Sequence, residues 1–186
     1  MKKFLSAAIV VVAAIAGNAG RAEAQNVMVG GQAMYPTKDI VDNAVNSADH
    51  TTLVAAVKAA GLVETLKGSG PYTVFAPVND AFENLPEGTV ATLLKVENKP
   101  ALTKVLTYHV VPGRLDAAAL EKLIKKGNGR AMLKTASGGT LTASMNGGRN
   151  IVVMDESGGT SRISTYNVYQ SNGVIHVLDR VLLPKM

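Results

Sequence analysis

The hydrophobic period of this chain changes once, near Gly129, from helical spacing to strand alternation, and that change restricts the fold more than any other feature. From Thr37 to about Lys126 the pattern is mostly helical. Asp49 can cap a helix whose apolar face is Leu53, Val54, Val57 and Ala60, with Gly61 as its stop. Leu62 to Leu66 continues as a short helix, and Gly68-Ser69-Gly70-Pro71 is a turn. Tyr72 to Phe75 is the one compact β-rich run in this half. Asn79 can cap a short helix holding Ala81 and Phe82. Asn98 can start another, with Pro100 in its first turn, and Asp116 caps a third that stops at Gly127.

After Gly129 five runs alternate with a period of two: Met132 to Thr135, Thr140 to Met145, Ile151 to Met154, Ile163 to Tyr169 and Val174 to Leu183. Gly138-Gly139, Asn146-Gly147-Gly148, Gly158-Gly159 and Asn172-Gly173 separate them as turns. Helices first and strands later, with one early strand, predict an α+β fold rather than alternating βαβ units. In the last strand Val174, His176 and Leu178 share one face and Ile175 and Val177 the other. With no polar face to spare, both sides of that strand are expected to be covered.

The first 24 residues read as a signal for export. Lys2 and Lys3 precede an apolar run from Phe4 to Gly17, and Ala22-Glu23-Ala24 fits cleavage before Gln25. The run is short for a bilayer span, so no transmembrane anchor is expected after cleavage. Residues 25–36 carry no period and contain Gly30-Gly31, which predicts a flexible leader. Residues 37–186 form the domain. With no cysteine in the chain, the exported domain must be held by its core alone.

Setting aside Lys2, Lys3, Arg21 and Glu23 leaves 16 basic and 13 acidic residues, a net charge of +3. That is too mild for a nucleic-acid footprint, and the few scattered aromatics make no base-stacking platform. Catalytic spacings are missing as well. There is no His-Glu-x-x-His, no Gly-x-Ser-x-Gly and no phosphate loop. His50, His109 and His176 lie far apart in sequence without paired carboxylates, so each reads as a hydrogen-bonded structural histidine and no metal site or cofactor is expected. Met28 and Met34 could offer thioethers to a soft metal, but two in a tail read more simply as a tail. Lys122, Lys125 and Lys126 complement a helix C-terminus.

Three stretches together resemble the fasciclin-like domain family. They are Thr73-Val74-Phe75-Ala76-Pro77-Val78-Asn79-Asp80-Ala81-Phe82, then Tyr108-His109 within Thr107 to Gly113, then Asn172-Gly173-Val174-Ile175-His176-Val177-Leu178-Asp179 continuing to Pro184. They come in the family's order and spacing. The resemblance implies a wedge-like β-sandwich with helices along one side. It also implies a non-catalytic module outside the cytoplasm, working in cell adhesion or matrix attachment through protein or glycan contacts. Thr73, Phe75, Pro77, Asn79, Phe82, Gly173, Ile175, His176 and Asp179 become structural motif positions. By the same resemblance Tyr108 and His109 serve either fold integrity or partner contact, and His109 is expected to bond Asn79. Because this chain has Asn at position 79 rather than Asp, that bond would be neutral. A second function belongs to some secreted relatives: carriage of an extended apolar ligand such as a carotenoid, along apolar helical faces and methionines.

Overall fold

The computed structural model describes residues 26–148 and 150–185; the export signal expected over residues 1–24 lies outside them. The chain opens with two short strands, β1 (Met28–Val29) and β2 (Gln32–Ala33), paired antiparallel. The segment expected to be a flexible leader is thus a packed hairpin from Val27 onward. Its glycines are the turn: Gly30 and Gly31 take φ of +58° and +74°, a region other residues enter at a cost. That turn lets Val29 and Met34 reach the core, where both are buried.

Three helices follow: α1 (Ile40–Ala44), α2 (Thr51–Ala60) and α3 (Val63–Lys67). Then come β3 (Tyr72–Pro77), α4 (Asn79–Glu83), α5 (Thr89–Leu93), α6 (Lys99–Tyr108), β4 (Val110–Pro112) and α7 (Ala117–Lys126). The second half is strands alone: β5 (Arg130–Lys134), β6 (Thr140–Asn146), β7 (Asn150–Met154), β8 (Thr160–Gln170) and β9 (Gly173–Leu178). The α+β class and the change of period hold. Strand β4 adds a three-residue strand that the sequence pattern does not mark, and the last strand ends at Leu178 rather than Leu183.

Seven strands join in the order β4-β3-β9-β8-β7-β6-β5, all antiparallel except the parallel pair β3 and β9. Rather than the two separate layers of the expected sandwich, the strands make one hydrogen-bonded sheet, curled until its edges meet: Ala136, just past β5, donates its N–H to the Val110 carbonyl of β4 at 2.7 Å. The curl is made at β8. That strand slips register twice between Ile163 and Val168, and Asn167 sits in the slip at φ +58°. From there the Asn167 Oδ1 accepts the Ala117 N–H at 2.7 Å, so the bulge helps hold the start of α7. Asp116 caps the same helix through the Ala119 N–H at 2.8 Å, as its sequence predicts.

Two cores result. One lies between α1, α2, α3, α6 and one face of β3 and β9; Ile175 and Val177 belong to it. The other lies inside the curl, closed by α7, and takes Phe75, Leu120, Ile124, Leu141, Val153 and Leu178. Every residue of β9 is buried, so both of its faces are covered as expected. Gly173 opens that strand where no side chain fits. A Cβ there would run into the Tyr72 carbonyl oxygen and sit 2.9 Å from Ile40 Cδ1.

Candidate functional site

Tyr108 and His109 stand where α6 gives way to β4. The turn carries them inward, and neither is a contact residue: Tyr108 is 0% and His109 3% exposed. The expected contact face does not exist at these two side chains, because their polar tips are used by the backbone. Tyr108 donates its hydroxyl to the Thr140 carbonyl at 2.9 Å and accepts the Glu156 N–H at 3.0 Å, joining α6 to two hairpins. Burial, with the carboxylates of Glu156 and Asp155 nearby, pushes its hydroxyl pKa up to about 12.

His109 is a three-way tie. Its Nε2 accepts the Leu182 N–H at 3.0 Å, which places the ring proton on Nδ1, and Nδ1 donates to the Val105 carbonyl at 2.8 Å. Its own carbonyl accepts the Phe75 N–H at 2.9 Å. Helix α6, strand β3 and the tail after β9 therefore meet at one residue. Burial pushes the imidazole pKa down to about 4, against the smaller opposing pull of the Val105 carbonyl and of Asp155. The ring is neutral at pH 7.

The expected His109–Asn79 bond is not formed. Asn79 neither bonds His109 nor caps its own helix. Its Oδ1 accepts the Thr52 N–H at 3.0 Å and the Thr51 hydroxyl at 3.2 Å, and its Nδ2 donates to the Ala48 carbonyl at 2.8 Å. Asn79 thus supplies the cap of α2 from another element, the role read for Asp49. Helix α2 begins from a 3-10 turn at Ala48–His50 and has no side-chain cap of its own there.

The other motif residues also hold the frame. Thr73 donates its hydroxyl to the Gly113 carbonyl at 2.6 Å and accepts the Leu115 N–H at 2.8 Å. Pro77 ends β3 in the core, and Phe82 packs half-buried against the helical cluster. His176 stacks on Phe75 with ring centroids 5.7 Å apart, and its Nε2 lies 2.8 Å from the Leu115 carbonyl. Asp179 accepts the Ser161 hydroxyl and the Arg162 backbone and guanidinium N–H groups. Burial raises its pKa, but those donors outweigh it and hold the carboxyl below its usual value.

Two tying residues carry weaker sequence signals. Asn172, read as a turn residue and as the start of the third family-like stretch, accepts the Ile40 N–H and donates to the Leu66 and Gly68 carbonyls. Asp155 accepts the Gly159 and Ser157 N–H groups of its own turn and the Leu183 N–H of the tail. Among the described residues no group of three or more His, Asp or Glu could hold a metal ion. No described helix is long and apolar enough to cross a membrane.

One stability prediction follows from Tyr108. Tyr108→Phe keeps the ring packing but leaves the Thr140 carbonyl and Glu156 N–H without their partner. A loss of about 1–3 kcal/mol is expected in urea unfolding, with an unchanged circular dichroism spectrum.

The chain matches the Fasciclin domain over residues 48–184. It is 46% identical over 147 residues to protein sll1483 of Synechocystis sp., covering 79% of this chain and 74% of that one. It is 35% identical to immunogenic protein MPB70 of Mycobacterium bovis, covering 76% and 66%. The transforming growth factor-beta-induced protein ig-h3 of Sus scrofa is 32% identical, but the match spans only 20% of that longer chain. The fold is similar to a solved FAS1 domain pair from the insect cell adhesion molecule fasciclin I. There the TM-score is 0.69 at 15% identity, over 78% of this chain and 51% of that one. With the profile running from the turn before α2 to the buried Pro184, and with the fold shared, this chain belongs to the fasciclin domain family.

Proposed function

We propose that the protein is a non-catalytic attachment module acting outside the cytoplasm, and that its contact surface is the outer face of β5, β6 and β7 beside α7. Export is supported by the signal-like sequence of residues 1–24, and adhesion by the cell adhesion molecule whose FAS1 pair has a similar fold. The observation that carries the choice of face is Met132. It is 78% exposed, in register with Thr142 and, through it, with Met154. Arg130 and Lys134 flank it on the same exposed side of β5. A groove runs beside it to Leu123 of α7, and the charged residues lining that groove are Lys126 and Arg130. Apolar thioethers framed by cations suit a partner with apolar patches and negative charge, an acidic glycan or protein surface.

The test uses beads coated with the protein and the surface of the cells that make it. Met132→Ser with Arg130→Ser is expected to leave the melting temperature within a few degrees, since both residues are exposed, and to reduce bead retention about tenfold. Full retention by the folded variant would show that the contact lies elsewhere.

A second reading, carriage of an apolar molecule, is favoured by a cavity of about 110 Å³ between the helical layer and β3 and β9. Its lining suits such cargo. Its volume is below the roughly 300–1,000 Å³ of typical ligand pockets, so an extended carotenoid would need α2 and α3 to part from the sheet. Visible colour in the purified protein would support that cargo.

A further inference from the structure

His50 is a buried residue with unfinished hydrogen bonding. It is 2% exposed, at the start of α2, and its Nδ1 lies 2.8 Å from the Ser47 hydroxyl. Its Nε2 is the one buried side-chain polar atom, among the described residues, with no partner in hydrogen-bonding geometry, although the Ala76 carbonyl lies close enough to act on the ring. Such an atom costs stability unless something completes it. His50 also lines the apolar cavity, together with Met34, Val57, Leu66, Val74 and Ile175.

A lone water is a poor occupant. Water needs two to four polar partners, and this lining is almost wholly carbon, with the Ser47 hydroxyl already engaged by His50. Size limits the alternatives further. An engineered apolar cavity of roughly 150 Å³ holds benzene, so about 110 Å³ admits a compact molecule and not a chain. Charge limits them again. Burial holds the imidazole toward its neutral form, against smaller opposing effects of the Ala76 carbonyl and Asp49, so His50 offers no counter-charge to an acid, and the one cation of the lining, Lys58, is exposed at its edge. Half-buried Val54, Leu62 and Val63 and exposed Lys58 also line the cavity, which gives it a route to the surface between α2 and α3.

We propose that this cavity is a binding site for a small uncharged alcohol of phenol size, an apolar ring carrying one hydroxyl that hydrogen-bonds His50 Nε2. A hydroxyl suits either ring tautomer, because it can donate to Nε2 or accept from it. The proposal narrows the apolar-ligand reading and rests on it. It is independent of the attachment reading, since it concerns β3 and β9 under the helices rather than β5, β6 and β7, and is tested in solution with no surface present.

The probes are phenol and benzene, titrated calorimetrically into the wild-type protein and into the double variant Ser47→Ala, His50→Leu. The variant removes both hydrogen-bonding partners together, so no orphan is left to unfold it. Wild type is expected to bind both probes and to perturb the His50 ring resonances with phenol but not those of His176, which does not line the cavity. The variant is expected to keep benzene and weaken phenol about tenfold. Binding of neither probe by wild type would overturn the site. Equal phenol affinity in wild type and variant would overturn the role of His50. Should the double variant fail to fold, the His50 resonances of wild type decide: no phenol-dependent shift refutes the proposal.

Discussion

Phenylalanine to alanine at position 75 is expected to destabilise the fold by about 3–5 kcal/mol, the range for deleting a fully buried aromatic ring. Phe75 has no exposed surface and stacks on His176 of the neighbouring parallel strand. It fills the core inside the curl, while Val74 and Ala76 on either side of it fill the helical core. The strand cannot slide to close the hole. Its ladder to β9 runs from Tyr72 to Pro77, and the Phe75 N–H is held by the His109 carbonyl. Little collapse means a large cavity term. In urea the midpoint should fall with an unchanged slope, and the melting temperature should fall by roughly 6–20 °C for a chain this size. Met132→Ala, on the exposed face, is the control and should stay within about 0.5 kcal/mol. A Phe75→Ala midpoint indistinguishable from wild type would mean that β3 does not pack as described.

Where the sequence was legible, the cause of the structure was local. Asp116 caps the helix three residues away, so its role was readable from spacing. Strand β9 was readable because six consecutive residues without a polar face can only be covered on both sides. The failures are all non-local. Asn79 caps a helix that begins 28 residues earlier in the chain, and nothing around Asn79 points there. Asn172 ties two segments more than 100 residues upstream. Gly30-Gly31 has the composition of a loose tail and is a tight turn, because Val29 and Met34 find a core that the segment itself does not contain. Tyr108 and His109 have the amphipathic character of contact residues. A buried tyrosine and histidine have the same character, and only their bonds to Thr140, Glu156, Val105 and Leu182 separate the cases. The cavity beside His50 has no sequence signal, since it is lined by residues from most elements of the first half and from two strands of the second.

Acidification from pH 7 to pH 4 is expected to remove about 3 kcal/mol of stability through His109 alone. In the unfolded chain its imidazole titrates near the ordinary value of about 6.5; in the fold it titrates at about 4. Above pH 6.5 both states are neutral and the stability from this group is complete. Between 6.5 and 4 the unfolded state takes up a proton that the folded state refuses, so stability falls steadily as pH drops. Below about 4 the folded ring is protonated too and the loss stops growing. Protonation of Nε2 would also set a donor against the Leu182 N–H, and so release the tail that His109 holds. Burial lowers the pKa of His50 and His176 as well, so both add to the loss in the same direction. Asp39 and Asp179 act in a later window. Their carboxyls are held below the ordinary value, so what they contribute is present above about pH 4 and fades only below it. Urea unfolding at pH 7.5, 6, 5 and 4.5 should therefore show a slope that begins near neutrality, well before Asp39 or Asp179 contributes. In His109→Gln the slope should be shallower, since glutamine can bridge Val105 and Leu182 without titrating. An equal slope in variant and wild type would remove His109 from the account. If the variant does not fold, the His109 ring resonance of wild type settles the matter: it should not move between pH 8 and 5, and movement there would mean that the ring is open to solvent and the tie is not what holds the tail.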